Sequence, residues 1–383
     1  MPLLLGANTS SSSPLPECRR GRGHNSVISS VYTLYTEVEP FYRALLQGLS
    51  GAKRRVSLMY FSVNHGEWAN KVSMQLEECL ARGVKVRLMV DSFGLALDQP
   101  RNALNNRLLL QDLEEEGVEV CVFDPKGHRL NRMNRMHMKV CAVDDTFAFI
   151  GGSNIGDNYL EWSDHNLSVV GSLGPVFHDV YDYIERFTGL ASAKRLNLSQ
   201  LFADDAQVWL TVPKQRRDIR RALLGLILNA EREVSIRSWY FVPDAEIMDA
   251  LHSQATAGVD VKILLSDKTK IRLVDYANPI IAEELTKAGV GVYRYTARFM
   301  HAKAAWNDKG DVLFGSANID GKALGSNFEC SIAVRSQQLA GDLRNAFYSD
   351  CNDARLHKAG DFSNRSLTSR TLAQLAKLAT PWL

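Results

Sequence analysis

Short apolar segments alternate along the chain with stretches in which apolar residues recur every three or four positions, and this alternation occurs twice in the same order. In the first half, a helical stretch joins the apolar segments 54–61 and 82–91, and in the second half one joins 232–241 and 257–267. A further helical stretch and a third apolar segment follow in each half. Each half therefore predicts the order strand, helix, strand, helix, strand.

The predicted helices end, and the next strands begin, at similar tetrapeptides in the two halves. The segments "GVKV" (83–86) and "GVDV" (258–261) both combine a helix-ending glycine with β-branched residues that favour a strand. Helices alternating with apolar strands predict βαβ units. We therefore expect an α/β protein of two homologous α/β/α sandwich halves, related by a pseudo-twofold axis, with mixed, mostly parallel sheets. The predicted organisation is a disordered leader at 1–25, halves at 26–195 and 196–366 with a boundary near 190–207, and a C-terminal amphipathic helix at 367–383.

Each half carries a histidine, one residue, a lysine, four residues and an aspartate, in "HMKVCAVD" (137–144) and "HAKAAWND" (301–308). On a strand, residues two apart point to the same face, so each histidine shares a face with its lysine. The return strands "TFAFIGGSN" (146–154) and "DVLFGSAN" (311–318) predict hairpins that bring glycine, serine and asparagine back beside this pair. One such motif is typical of a strand with a solvated lysine and a turn aspartate, but two copies within a matching repeat indicate a site.

These residue types suit an anionic phosphate ligand. Lysine, serine and asparagine side chains donate hydrogen bonds to phosphate oxygens, and glycines let a ligand approach the backbone. Histidines titrate near neutral pH, so one can act as a nucleophile and another as a proton donor. Cleaving a phosphodiester needs attack on one side of the phosphorus and protonation of the leaving alcohol on the other. We therefore expect the two motifs to be the halves of a single site.

The duplicated motif and its downstream Gly-Ser-x-Asn resemble the hallmark of the phospholipase D superfamily. The second copy is complete and is followed by Glu329 in "NFEC", whereas the first copy has "GGSN" and offers Asp164 in "EWSDHNL". The resemblance implies a phosphohistidine intermediate, no metal and no cofactor, and a carboxylate behind each histidine that fixes its tautomer. Asp144 and Asp308 belong to the motif but lie past the strand, where a structural role is expected. The site residues implied are His137 as nucleophile, His301 as acid, and Lys139, Asp144, Lys303 and Asp308 in the catalytic set; Ser153, Asn154, Ser316 and Asn318 on phosphate; and Asp164 and Glu329 as orienting carboxylates.

Three segments resemble the bacterial cardiolipin synthase branch of that superfamily. Segment 129–171 has a basic run before the histidine, "GGSNIGD" and a Trp-x-Asp, and segment 315–329 has the branch's Gly-Ser-x-Asn-x-Asp pattern. The latter has "DGKAL" where that branch commonly has an arginine–serine pair, and the tail at 367–383 resembles the ending of those synthases. The resemblance implies phosphatidyl transfer between two phosphatidylglycerol molecules, forming cardiolipin. Phospholipid hydrolysis, cleavage of DNA or RNA, and a non-enzymatic membrane scaffold are the alternatives.

Composition narrows these alternatives. The 383-residue chain has a net charge of +2, lower than is usual for a nucleic-acid-coated protein, so nucleic acid is not the favoured partner. No apolar run reaches the roughly 20 residues that a membrane-spanning helix needs. The six cysteines are scattered without a CxxC pair, which favours reduced thiols in a cytoplasmic protein. We expect a peripheral protein that binds anionic phospholipid on the inner face of the cell membrane, and the sequence leaves its oligomeric state open.

The C-terminal tail fits two interpretations. Its helical projection has an apolar arc opposite a weakly basic polar arc. Such a helix fits a membrane interface, with Trp382 at headgroup depth, and it equally fits packing on the domain. The apolar arc is Leu372, Leu375, Leu378 and Ala379, and the polar arc is Arg370, Gln374 and Lys377.

Two further segments also fit more than one interpretation. The aromatic strand ends at 59–63 and 238–243 fit either a substrate pocket or a buried core. The basic loop 126–135 fits lipid headgroups, nucleic-acid phosphates or plain solvation. Its cations are Lys126, Arg129, Arg132 and Arg135.

Overall fold

The computed structural model describes residues 30–125, 133–188, 201–203, 205–239 and 241–379. These residues form one mixed sheet in each predicted half, with helices packed on the sheets. Several predictions concern segments outside the described residues: the leader at 1–25, the loop cations Lys126, Arg129 and Arg132, residues 190–200 of the predicted boundary, Trp382, and the side chains of Leu378 and Ala379.

The first half contains a seven-stranded sheet in the order β1-β7-β6-β5-β2-β3-β4. Its strands are β1 (Val31–Tyr35), β2 (Arg55–Tyr60), β3 (Lys85–Asp91), β4 (Glu119–Phe123), β5 (Lys139–Val143), β6 (Phe147–Gly151) and β7 (Asn166–Val170). Its helices are α1 (Val38–Ser50), α2 (Glu67–Ala81), α3 (Ser92–Leu97), α4 (Ala103–Glu115) and α5 (Leu173–Glu185).

The second half contains a nine-stranded sheet in the order β16-β12-β11-β10-β13-β14-β15-β8-β9. Without its two edge strands, β9 and β16, this order repeats that of the first sheet, which confirms the duplication. The strands are β8 (Ala206–Val212), β9 (Arg216–Arg217), β10 (Glu233–Ser238), β11 (Asp260–Ser266), β12 (Gly291–Tyr295), β13 (Ala304–Asn307), β14 (Asp311–Gly315), β15 (Glu329–Arg335) and β16 (Ala354–Leu356). The helices are α6 (Asp218–Leu228), α7 (Ala245–Thr256), α8 (Arg272–Lys287), α9 (Gln337–Cys351) and α10 (Leu367–Ala379).

The sheets are mixed, as predicted, but the expectation that they are mostly parallel is wrong. Only β2-β3-β4 and β10-β11-β12 pair in parallel among the described strands. The strands that carry the motifs return as hairpins, for example β5 with β6 and β13 with β14, and these pairs are antiparallel. The short turns inside the motifs cannot accommodate the crossover connection that parallel neighbours require.

Local sequence signals set the ends of several elements. Gly83 and Gly258 end α2 and α7 with left-handed φ angles of 79° and 89°, in agreement with the predicted helix ends. The side chain of Asp244 accepts a hydrogen bond from the backbone of Ile247 and so caps α7. Asp91 caps α3 in the same way.

A buried apolar cluster lies between the two sheets and includes residues of both halves. It joins Met136 and Phe177 of the first half to Trp306 and Phe328 of the second, together with the inner faces of α5 and α9. Two further clusters lie on the outer faces of the sheets, beneath α1, α2 and α4 in one half and α6, α7 and α8 in the other. Because close-packed interiors resist relative movement, the shared cluster fixes the two motif strands relative to each other.

The C-terminal helix α10 packs on α8 through its small residues. Ala373 and Ala376 are buried, and Lys377 forms an ion pair with Glu284 of α8. The leucines of the predicted apolar arc point outward, with Leu372 47% and Leu375 58% exposed. The helix thus packs on the domain and still presents part of its apolar arc to solvent. Within the part of the chain that the structure describes, no helix has the length and hydropathy needed to span a bilayer.

Candidate active site

The predicted hairpins place each histidine–lysine pair beside a glycine-containing strand end. In the first half β5 pairs with β6 so that Val140 lies opposite Ile150, which brings residues 151–154 alongside His137 and Lys139. In the second half Ala304 of β13 lies opposite Phe314 of β14, with the same result for His301 and Lys303. The local part of the site therefore matches the prediction.

The two motif segments are tied to the opposite half of the protein through their backbones. The N–H of His137 donates to the carbonyl of Phe328 at 2.9 Å, and the N–H of His301 donates to the carbonyl of Ser163 at 2.8 Å. Phe328 directly precedes Glu329, and Ser163 directly precedes Asp164. Each histidine is consequently held next to the candidate orienting carboxylate of the other half.

The carboxylates contact the histidines in a crossed arrangement. Nδ1 of His137 lies 3.0 and 3.2 Å from the two carboxylate oxygens of Glu329, and Nδ1 of His301 lies 2.8 Å from Oδ2 of Asp164. Both carboxylates are buried. Since an ionised carboxylate can only accept, Nδ1 of His301 is the protonated nitrogen beside Asp164, and Nδ1 of His137 is the protonated one whenever Glu329 is ionised. In that tautomer Nε2 carries the lone pair. The two motifs thus contribute to one composite site.

A single substitution between the two repeats explains why one carboxylate is an aspartate and the other a glutamate. Ser316 of the second half donates its hydroxyl to Glu329. The residue at the same strand position in the first half is Gly152, and a Cβ built there would lie 2.1 Å from Oδ1 of Asp164. The missing side chain makes room for the shorter aspartate to approach the strand and still reach His301.

The two motif lysines are buried at the centre of the site. Nζ of Lys139 donates to the carbonyl of His137 at 2.7 Å, and Nζ of Lys303 donates to the carbonyl of His301. Burial lowers the pKa of Lys139 to about 8 and that of Lys303 to about 7, and the charge of Lys139 further lowers the pKa of Lys303. Two ammonium groups in mutual electrostatic contact form a ready binding place for an anion.

Burial also sets the protonation of the histidines. It holds the pKa of His137 well below its usual value, with the charge of Lys139 adding to the effect, and it lowers the pKa of His301 to about 3. Burial acts to raise the pKa of Asp164, but the charge and hydrogen bond of His301 outweigh it and lower that pKa. Burial raises the pKa of Glu329 to about 8. At neutral pH both rings are therefore neutral, and Asp164 is the more firmly ionised of the two carboxylates.

Equivalent aromatic residues follow β2 and β10 and pack on the rings of His137 and His301. Phe61 lies 5.1 Å from the His137 ring and under Nζ of Lys139 at 5.3 Å. Trp239 lies 5.0 Å from the His301 ring and under Nζ of Lys303 at 5.7 Å. Phe61 and Trp239 therefore lie in the candidate site, whereas the neighbouring Tyr60 is buried core.

The motif aspartates lie at the far ends of their strands from the histidines. Asp144 accepts hydrogen bonds from the backbone N–H groups of residues 53–55 at 2.8–3.0 Å, and Asp308 does the same for residues 231–233 at 3.0–3.3 Å. They therefore fasten the motif turns to the starts of β2 and β10. This is the structural role expected for them, and it separates them from the groups that could touch a phosphate.

The four predicted phosphate-binding residues are all buried, and three of them bind other parts of the protein. Ser153 accepts a hydrogen bond from Asn166 at 2.9 Å, Asn154 accepts one from the backbone of Ser62 at 3.1 Å, and Ser316 binds Glu329. Asn318 differs from them, because its Oδ1 has no hydrogen-bond partner among the described residues.

One residue that supports the candidate nucleophile was not identified from the sequence. Asp91 is fully buried and accepts hydrogen bonds from the backbone of Met136 at 2.8 Å and from Nε of Arg135 at 3.1 Å. It thereby connects the end of β3 to the residue before His137. The available signal was an aspartate at the end of a buried strand, which is too common a pattern to identify such a contact.

The duplicated mixed sheets and the composite pair of His–Lys motifs define a two-domain protein of the phospholipase D-like class. The family model described as "Cardiolipin synthase, PLD-like domain" matches residues 45–187 and 223–351. The chain belongs to this family, the cardiolipin synthase branch of the phospholipase D superfamily.

Comparison with curated proteins finds relatives along most of the chain. Cardiolipin synthase 1 of Bacillus cereus is 29% identical over 373 residues, which cover 91% of this chain and 72% of that protein. The cardiolipin synthase of Geobacillus sp. is 30% identical over 366 residues, covering 91% and 71%. Cardiolipin synthase B of Salmonella typhi is 27% identical over 336 residues, covering 82% and 79%.

Solved structures share the fold at low sequence identity. A phosphatidylserine synthase of Haemophilus influenzae superposes with a TM-score of 0.73 at 12% identity, covering 92% of this chain and 95% of that one. A polyphosphate kinase of Porphyromonas gingivalis superposes with a TM-score of 0.58 at 14% identity, covering 93% and 54%. At these identities the likeness concerns the fold alone.

Proposed function

We propose that this protein is a phosphatidyl transferase of the cardiolipin synthase type, which moves a phosphatidyl group from one phosphatidylglycerol to a second. The observation that carries the proposal is the crossed pairing of His137 with Glu329 and of His301 with Asp164 around two buried lysines. Family membership and relatives named cardiolipin synthase support the choice of substrate.

The first step is attack of His137 on the donor phosphodiester. Nε2 of His137 forms a bond to phosphorus, the bond from phosphorus to the glycerol oxygen breaks, and that oxygen takes a proton from His301. The product is a phosphohistidine and free glycerol. Glu329 stabilises the positive charge that the phosphorylated ring acquires, because its carboxylate faces Nδ1.

The surroundings of the two rings favour these roles. The arriving phosphate anion counteracts the lowering of the His301 pKa by burial, so that His301 takes up a proton when the substrate binds, and ionised Asp164 stabilises that proton until it is donated. Burial and the charge of Lys139 keep His137 neutral in the resting protein, as a nucleophile must be.

The second step restores the neutral His137 and the protonated His301 with which the first step began. The hydroxyl of a second phosphatidylglycerol attacks phosphorus, His301 takes the hydroxyl proton, and the bond from phosphorus to Nε2 of His137 breaks. The product is cardiolipin. Lys139, Lys303 and the amide of Asn318 hold the phosphoryl oxygens in both steps and stabilise the charge that develops there.

Peripheral attachment to the inner face of the cell membrane belongs to the same proposal. The exposed leucines of α10 supply an apolar surface, and a phospholipid substrate requires access to a bilayer. The five described cysteines are free thiols, in keeping with a reducing compartment.

Incubation of the purified protein with phosphatidylglycerol vesicles, without added metal, tests the proposal. Thin-layer chromatography should detect cardiolipin and glycerol. Phosphatidic acid as the sole lipid product would indicate hydrolysis instead, and cleavage of single-stranded DNA without any lipid product would indicate a nuclease. His137→Ala and His301→Ala should each abolish turnover, and near-normal activity of either variant would contradict the two-histidine assignment.

A further inference from the structure

A cluster of aromatic rings beside His301 holds the ammonium group of an exposed lysine. Trp162 and Phe299 lie 5.2 and 6.3 Å from the His301 ring and 4.6 Å from each other. Nζ of Lys270 lies over the same two rings, 4.6 Å from the centroid of Trp162 and 4.3 Å from that of Phe299. Each of these rings therefore contacts both the proposed acid–base group and the lysine cation.

The loop that carries Lys270 has a defined conformation. Lys270 adopts a left-handed backbone with φ of 64°, which is uncommon for a residue other than glycine and requires support from its surroundings. That support comes from Thr269, whose backbone N–H and hydroxyl both donate to Asp275 at 2.8 and 2.7 Å, and from the N–H of Ile271, which donates to the Thr269 hydroxyl. The strained backbone directs the lysine toward the aromatic rings.

The cation on the rim of the other half is neutralised, whereas Lys270 is not. Arg135 lies over Phe93 at 5.7 Å, and the buried carboxylate of Asp91 pairs with it at 3.1 Å. Among the described residues, no carboxylate lies within ion-pairing distance of Lys270. An ammonium on an aromatic platform keeps its charge and its N–H donors available, so it favours an anionic ligand.

We infer that Lys270, positioned by Trp162 and Phe299, binds the phosphate of the acceptor phospholipid, which is distinct from the phosphate that is transferred. The inference rests on the proposed function. In phosphatidylglycerol three carbon atoms separate the phosphate from the terminal hydroxyl, so an acceptor whose hydroxyl reaches His301 carries its phosphate to the rim of the site. Lys270 thereby favours an anionic lipid alcohol over water and small neutral alcohols.

A competition between two acceptors for the same phosphohistidine tests this subsite. Phosphatidylglycerol vesicles supply the donor and the anionic acceptor, and a fixed concentration of 1-butanol supplies a neutral acceptor. The measured quantity is the ratio of cardiolipin to phosphatidylbutanol, in which differences in vesicle binding and in the first step cancel. Because a hydrogen bond to a charged group contributes about 1.5–3 kcal/mol, Lys270→Ala should lower this ratio roughly 10- to 150-fold.

Two further variants make the test specific. Lys270→Arg keeps the cation and should retain most of the ratio, and Lys268→Ala removes an exposed lysine two residues away and should leave it unchanged. An unchanged ratio in Lys270→Ala would overturn the inference and leave the proposed function intact. Absence of both products with the unmodified protein would refute the proposed function, and this inference with it.

Discussion

Replacing Glu329 by glutamine removes an ionisable group from the site with little change in shape. Glu329 is fully buried, faces Nδ1 of His137 with both carboxylate oxygens, and accepts the hydroxyl of Ser316. The glutamine oxygen can still accept from Nδ1, so the ring keeps its position. The amide cannot ionise, however, when His137 becomes positively charged as the phosphohistidine forms.

The expected loss of turnover follows from the difference between a hydrogen bond to a charged carboxylate and one to a neutral amide. A hydrogen bond to a charged group contributes about 1.5–3 kcal/mol, compared with about 1 kcal/mol for a neutral one. The difference is about 0.5–2 kcal/mol. Because each 1.36 kcal/mol is a factor of ten in rate, the turnover number should fall roughly 2- to 30-fold. The effect should appear in kcat rather than in KM, since the charge is needed in the intermediate and not in the resting site.

The assay is the initial rate of cardiolipin formation at several phosphatidylglycerol surface concentrations, with circular dichroism to check folding. Glu231→Gln is the matched control, because Glu231 is an exposed glutamate that pairs with Lys309 at 2.9 Å on the surface. This control should retain normal kcat. A Glu329→Gln variant whose kcat equals that of the unmodified protein would refute the role assigned to the crossed carboxylate.

Three further predictions concern other parts of the site and its membrane contact. Gly152→Ser should displace the carboxylate of Asp164 from His301 and lower cardiolipin synthesis at least about tenfold, since the new Cβ would overlap Asp164. The control Gly341→Ala, where a Cβ meets no atom within 4 Å, should have no such effect. Equal activities of the two variants would contradict the role assigned to Gly152. Because Lys303 has a pKa of about 7 and binds phosphate only when protonated, kcat/KM should fall as the pH rises above about 7. Lys303→Arg should move this decline to higher pH. A flat profile of kcat/KM from pH 6 to 9 would exclude Lys303 as a phosphate-binding group. Changing Leu372 and Leu375 together to serine should weaken sedimentation with anionic vesicles without lowering thermal stability, and unchanged binding would leave α10 a packing role only.

Much of the fold and of the site follows from local patterns. The spacing of His137 and Lys139 places both on one face of a strand, and the turn after the motif produces the hairpin that returns residues 151–154 to them. Helix ends at Gly83 and Gly258 were predictable for the same reason. In each case the preference comes from the backbone geometry of a few neighbouring residues.

Other features depend on contacts between residues far apart in the chain. Glu329 contacts a histidine 192 positions away, and Asp164 contacts one 137 positions away. The sequence identified both carboxylates as orienting groups but did not assign either to a particular histidine. That assignment follows from the shared core, which places the end of each half against the motif of the other.

The distinction between local geometry and long-range contacts also explains where the structure differs from the remaining sequence predictions. Periodicity identified strands but not their neighbours, so the extent of antiparallel pairing was underestimated. The helical projection of α10 separated an apolar arc from a polar arc, yet the helix packs on α8 through its buried alanines, a contact between elements far apart in the chain. Lys270 carries no motif, and its position over Trp162 and Phe299 arises where three separate loops meet. Short stretches of sequence determine the local backbone geometry, whereas the packing of the whole chain determines which residues of the two halves contact each other.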